Sequence, residues 1–84
     1  MPYNLSASPS RDRLILLTAV TVLRELFGKA GEEAKPLFLK NRTLTVTCAT
    51  TDIAQAVRLK QLEILGKLND KLGGREVDSI RYLT

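Results

Sequence analysis

The sequence predicts an α+β sandwich, with two main helices packed on one face of a three-stranded sheet, in the order helix, strand, strand, helix, strand. Three observations predict it. Residues 43–48 alternate strictly, with Thr43, Thr45 and Thr47 on one side and Leu44, Val46 and Cys48 on the other, the period of a strand. A segment with helical apolar spacing precedes this strand and another follows it. The 84 residues are 44% hydrophobic and 26% charged, the make-up of one small domain that buries only roughly 60–65% of its unfolded surface.

Residues 1–10 hold Pro2, Asn4, Pro9 and three serines, and read as a flexible lead-in to a single domain over residues 11–84. Ser10, just before Arg11-Asp12-Arg13, is the expected cap of the first helix. Leu16, Ala19, Val20, Leu23, Leu26, Phe27, Ala30 and Ala34 form its broad apolar face. Gly28 and Gly31 predict a kink or break near its end, and Pro36 its stop.

Residues 37–40 (Leu-Phe-Leu-Lys) suit a short strand. Asn41-Arg42 is then a two-residue turn without the usual glycine, leading into the strand 43–48. Thr50-Thr51-Asp52 offers caps for a second helix. Its apolar face is Ile53, Val57, Ile64, Leu65, Leu68 and Leu72, with Ala54 beside them, and Gly73-Gly74 closes it. Residues 76–83 make the third strand.

Composition excludes several chemistries. There is no His and one Cys, so the chain has no internal disulfide, no Cys/His zinc site and no His-based dyad or triad. No cofactor is implied. The acids lie mostly on helix faces near Lys or Arg, as in Glu63–Lys67 and Lys67–Asp70, the pattern of solvated pairs. Cys48 sits on the apolar side of its strand, as a small core residue. The longest apolar run, Leu14-Ile15-Leu16-Leu17, is far short of the roughly 18 residues that span a bilayer. Residues 1–10 lack a secretory pattern. A reduced, cytoplasmic setting is the expectation, and a binding module rather than an enzyme.

The net charge is +4, which gives salt-sensitive attraction to nucleic acid. Lys60, Lys67 and Lys71 share a stripe on the second helix. On the sheet, Arg42 beside the turn and Arg81, alternating with Ile80 and Tyr82, join the threonine side. Hydroxyls and guanidinium groups both donate to phosphate there. Apolar surface is also in surplus. Leu14 and Leu17 lie opposite the core face of the first helix, and Leu59 and Leu62 point away from that of the second. Such leucines mark a partner or self-association surface.

Gly28-Lys29-Ala30-Gly31 looks like the loop by which KH domains clamp a nucleic-acid backbone between two helices. It also reads as a kinked helix end packed closely against the sheet.

From about Leu16 to Leu83 the chain resembles the DciA family of bacterial replicative-helicase operators or loaders. The likeness is carried by Leu26-Phe27-Gly28, Pro36, Leu44-Thr45-Val46 and Ala54 to Leu59. It continues through Ile64-Leu65-Gly66-Lys67-Leu68-Asn69, Leu72-Gly73, Val77 and Ile80-Arg81-Tyr82. The resemblance implies a KH-like domain that binds DNA and contacts the hexameric helicase, with no catalysis of its own. Leu23 stands where family members tend to carry a tryptophan. Thr84 follows the last strand directly, where many relatives carry a flexible extension that takes part in the helicase contact.

The expectation is therefore a DNA-binding helicase accessory. It would hold phosphate through Lys29, Lys35, Lys40, Arg42 and Arg81, helped by Lys60, Lys67 and Lys71, and meet its partner through Leu14, Leu17, Leu59 and Leu62. Two alternatives stay open. One is a KH-type RNA-binding domain centred on Gly28 to Gly31, the other a structural homo-oligomer built on the exposed leucines.

Overall fold

The apolar residues at helical spacing after Arg13 fold into helix α1, described over Pro9–Phe27. The structure, a computed structural model, describes residues 9–84, with side chains from Arg11 onward. The expected lead-in falls, for residues 1–8, outside the described residues. Ser10 lies inside α1 rather than capping it.

The break expected near the glycines is present. α1 ends at Phe27, Gly28 takes a positive φ of 61°, and a 3₁₀ turn covers Gly28–Glu33. Gly31 is required there by close packing: a Cβ on it would lie 2.5 Å from the Leu23 carbonyl oxygen.

Pro36 does not stop the helix. It lies inside strand β1, Ala34–Lys40, which starts three residues earlier than expected. β1 is at the sheet edge, where a residue without an N–H is tolerated. The turn follows as predicted: Asn41 and Arg42 both have positive φ, 52° and 62°, the backbone of a two-residue hairpin turn. Strand β2, Thr43–Cys48, has the predicted bounds.

The second helix is two helices, α2 Thr51–Leu59 and α3 Gln61–Leu72, broken at Lys60 (φ −108°, ψ 15°). A straight helix over this stretch would be about 33 Å long, while strands of this sheet reach only about 17–23 Å. The break keeps both apolar faces, Ile53, Ala54 and Val57 on α2 and Ile64 and Leu68 on α3, within the core. The Thr50 hydroxyl caps α2 by accepting from the Ile53 N–H at 3.2 Å.

Strand β3 is Ser79–Leu83, shorter than expected. The chain before it is held by Asn69 instead of by β2. The Asn69 Nδ2 donates to the Val77 carbonyl at 2.9 Å, and the backbone N–H groups of Glu76 and Val77 donate to Asn69 Oδ1, each at 3.0 Å.

The sheet order is β1-β2-β3, antiparallel then parallel. The helices pack on one face against Leu44, Val46, Cys48 and Ile80. The buried side of α1 is Ile15, Ala19, Val22 and Leu23, while Val20 is exposed. Its face is thus rotated from the expected one. Leu14-Ile15-Leu16-Leu17 is apolar all round, so spacing alone cannot choose the side that meets the sheet.

Candidate nucleic-acid interface

The sheet face away from the helices is a grid of three rows, set by strand register. Lys40, Thr43 and Ser79 form one row, Phe38, Thr45 and Arg81 the next, and Lys35, Thr47 and Leu83 the third. A bulge between Pro36 and Phe38 places odd-numbered Lys35 on the same side as even-numbered Phe38 and Lys40. Strict alternation would have turned Lys35 toward the helices. The grid holds three cations, four hydroxyls and no carboxylate. Among the described residues, Lys35, Lys40 and Arg81 make no ion pair.

Thr45 is the centre of this grid. It is 4% exposed, yet its hydroxyl has no hydrogen-bond partner among the described residues. Leaving a buried donor unsatisfied costs about 1–3 kcal/mol. Thr45 lines a hollow with Phe38, Lys40, Asn41, Thr43 and Arg81. Phe38, beside it, is 49% exposed. Beyond Thr45, the Thr43 and Ser79 hydroxyls bond each other at 2.9 Å.

The other predicted cations are placed differently. Arg42 turns off the sheet. Its Nε donates to Asp78 Oδ2 at 2.7 Å and its Nη2 to the Arg75 carbonyl at 2.5 Å. The hydrogen bonds between Arg42 and Asp78 raise the Arg42 pKa and hold the Asp78 carboxyl below its usual range. Arg11 and Glu76 pair likewise, with Arg11 Nε donating to Glu76 Oε1 at 3.2 Å, and the Glu76 carboxyl is lowered by that bond. Lys60 pairs with Glu63 at 3.6 Å, in place of the expected Glu63–Lys67 pair, and Lys71 with Glu25 on α1 at 3.2 Å. Lys67 is exposed on α3 and Lys29 on the 3₁₀ turn. The structure thus gathers Lys35, Lys40 and Arg81, and leaves Lys29, Arg42 and the helix stripe outside that group.

Phe38 and Thr45 were not among the predicted site residues. Period two from Lys40 would have found Phe38. Nothing in the sequence signals that Thr45 is buried on the outer face.

The glycine-x-x-glycine segment lies between α1 and β1, not between two helices. Gly31 is buried, packed against the Leu23 backbone, and Lys29 and Ala30 between the two glycines are exposed. The two successive helices meet instead at Lys60, flanked by Leu59 and Leu62, 84% and 81% exposed. Leu62 opens onto a groove along α3 with Leu65, Gly66 and Val77. Leu14 and Leu17 are also exposed.

Burial pushes the Cys48 thiol pKa up, away from the reactive thiolate. Among the described residues no three His, Cys, Asp or Glu side chains gather as a metal site would need, and no described helix is long and apolar enough to cross a membrane.

No curated protein matches the chain. The family profile described as Dna[CI] antecedent, DciA, matches residues 3–82, nearly the whole chain. The chain therefore belongs to the DciA family, a family of helicase-loader-like accessories of DNA replication.

Proposed function

We propose that this protein is a cytoplasmic, non-enzymatic accessory of the bacterial replicative helicase that binds DNA through the outer face of its sheet. The observation that carries this reading is the grid of Lys35, Lys40 and Arg81 with its hydroxyls and no carboxylate. Such a face attracts phosphate from any sequence, because cations and hydroxyls position a backbone without reading base edges. Lys29 and Lys67, which make no ion pair with a described residue, extend the positive surface beyond the sheet. Family membership supports the helicase contact, and the exposed Leu59–Leu62 corner is the apolar surface we assign to it. Tethering to DNA through one layer and to the helicase through the other is how such a domain would bring the two together, with no cofactor required.

The test is a pull-down with the replicative helicase of the same cell, with nuclease added so that nucleic acid cannot bridge the two, beside a direct DNA-binding titration at low salt. Helicase retained after nuclease, and DNA binding that falls steeply with salt, are the expected results. Loss of both would overturn the reading.

A further inference from the structure

The hollow around Thr45 has properties that a merely basic surface lacks. Thr45 is nine-tenths buried, its hydroxyl has no partner among the described residues, and it lines an opening on the cationic face. Arg81 sits beside it on β3 and Phe38 opposite it on β1. Lys40, one row away on β1, lines the same hollow. Strands stand about 4.8 Å apart, so Arg81 and Lys40 flank a space of roughly 10 Å, which both long side chains can close around one anion. The lining holds no carboxylate, and Asn41 and Thr43 add neutral donors.

We propose that this hollow seats one backbone phosphate of a single-stranded nucleic acid, with the adjoining base stacked on Phe38. The proposal rests on the reading that the outer sheet face binds nucleic acid, and adds which form of it is held and where. The Thr45 hydroxyl donates to a phosphate oxygen, and Arg81 and Lys40 neutralise its charge. Phe38 is a half-exposed aromatic in the same row. A base in a duplex hides both its faces in the stack, whereas a single strand offers a face for the ring. Stacking of this kind is tolerant of sequence, in keeping with a face that carries no fixed array for base edges.

The experiment measures binding of the full chain to a labelled oligothymidylate and to a labelled hairpin duplex at the same low salt. Phe38→Ala is expected to weaken oligothymidylate binding about tenfold and to change duplex binding by less than about twofold, while Phe38→Tyr keeps both. Thr45→Val keeps the shape and removes the hydroxyl. It is expected to weaken oligothymidylate binding by about tenfold, the worth of a hydrogen bond to a charged group, while the unfolding midpoint stays level or rises. That combination excludes misfolding as the cause. If Lys40→Glu and Arg81→Glu abolish binding while Phe38→Ala and Thr45→Val leave it unchanged, the stacked single-strand seat is overturned and the basic face stands. If Phe38→Ala weakens the duplex as much as the single strand, the stacking is likewise overturned. If the unmodified chain binds neither probe, the underlying reading of the face falls with it.

Discussion

Arg42 and Asp78, 36 residues apart, meet with Nε 2.7 Å from Oδ2, and this pair ties the β1–β2 turn to the approach of β3. The Arg42 carbonyl also accepts from the Asp78 N–H at 2.8 Å. The carboxyls of Asp78 and Glu76 are both lowered by their arginine partners. A lowered carboxyl contributes stability that is present above its unfolded pKa, about 4, and lost as pH falls through the folded value. Denaturant midpoints should therefore be flat near neutrality and drop as pH falls below about 4. In Asp78→Asn the drop should be shallower, and an identical acid limb would show that the pair adds nothing.

Asn69 fixes the other side of the same approach. Its side chain satisfies the Glu76 and Val77 N–H groups and the Val77 carbonyl, and Val77 is buried. Asn69→Ala should cost about 2–3 kcal/mol, two or three hydrogen bonds' worth, read as a lower denaturant midpoint at unchanged slope. Asn69→Asp keeps the acceptor for the two N–H groups and sets a carboxylate against the Val77 carbonyl, so it should fall between. A midpoint unmoved by Asn69→Ala would show that the chain before β3 is held by other contacts.

How much of this was legible depends on the range of each signal. β2 was read to the residue because period two and β-branching are local. The Asn41-Arg42 turn was legible for the same reason, and the cap of α2 was narrowed to Thr50, Thr51 or Asp52, of which Thr50 makes the bond. The break at Lys60 and the rotated face of α1 were not, because both answer to the size and position of the sheet. The cations of the second helix and Arg42 were read by type and parity alone. Which are neutralised depends on acids brought near by the fold, as Glu25 is to Lys71 and Asp78 to Arg42. The grid of Lys35, Lys40 and Arg81 was half legible: Arg81 followed from alternation, but Lys35 reaches that face only through the bulge.

Gly31 is the point where the 3₁₀ turn touches α1. Gly31→Ala forces the added methyl against the Leu23 carbonyl, backbone that cannot swing aside. The expected loss is about 1–3 kcal/mol, as for overpacking elsewhere. Gly28→Ala sets an alanine at a positive φ of 61° with open space around its methyl, so its cost is conformational only. Equal binding of DNA by both folded variants, beside unequal stability, would separate this segment's structural role from a ligand-clamping one.

Leu59 and Leu62 flank the α2–α3 break, each more than 80% exposed. Aspartate at either position touches nothing buried, so stability should stay within about 0.5 kcal/mol of the unmodified chain. Leu59→Asp with Leu62→Asp is expected to abolish retention of the helicase after nuclease while leaving DNA binding intact. If helicase retention survives and a concentration-dependent mass disappears instead, the corner joins copies of this chain.

Salt dependence separates the cations by their partners. Each phosphate contact that releases a counterion contributes about 0.7 to the slope of log affinity against log salt for a single strand. Lys35→Ala, Lys40→Ala and Arg81→Ala should each reduce that slope by about this amount. Lys60→Ala and Lys71→Ala should reduce it less, because Glu63 and Glu25 already offset those charges. Arg42→Ala should behave as the helix lysines do, and lose stability besides. A slope that responds to Lys60 and Lys71 but not to the sheet residues would move the interface from the sheet to the helices.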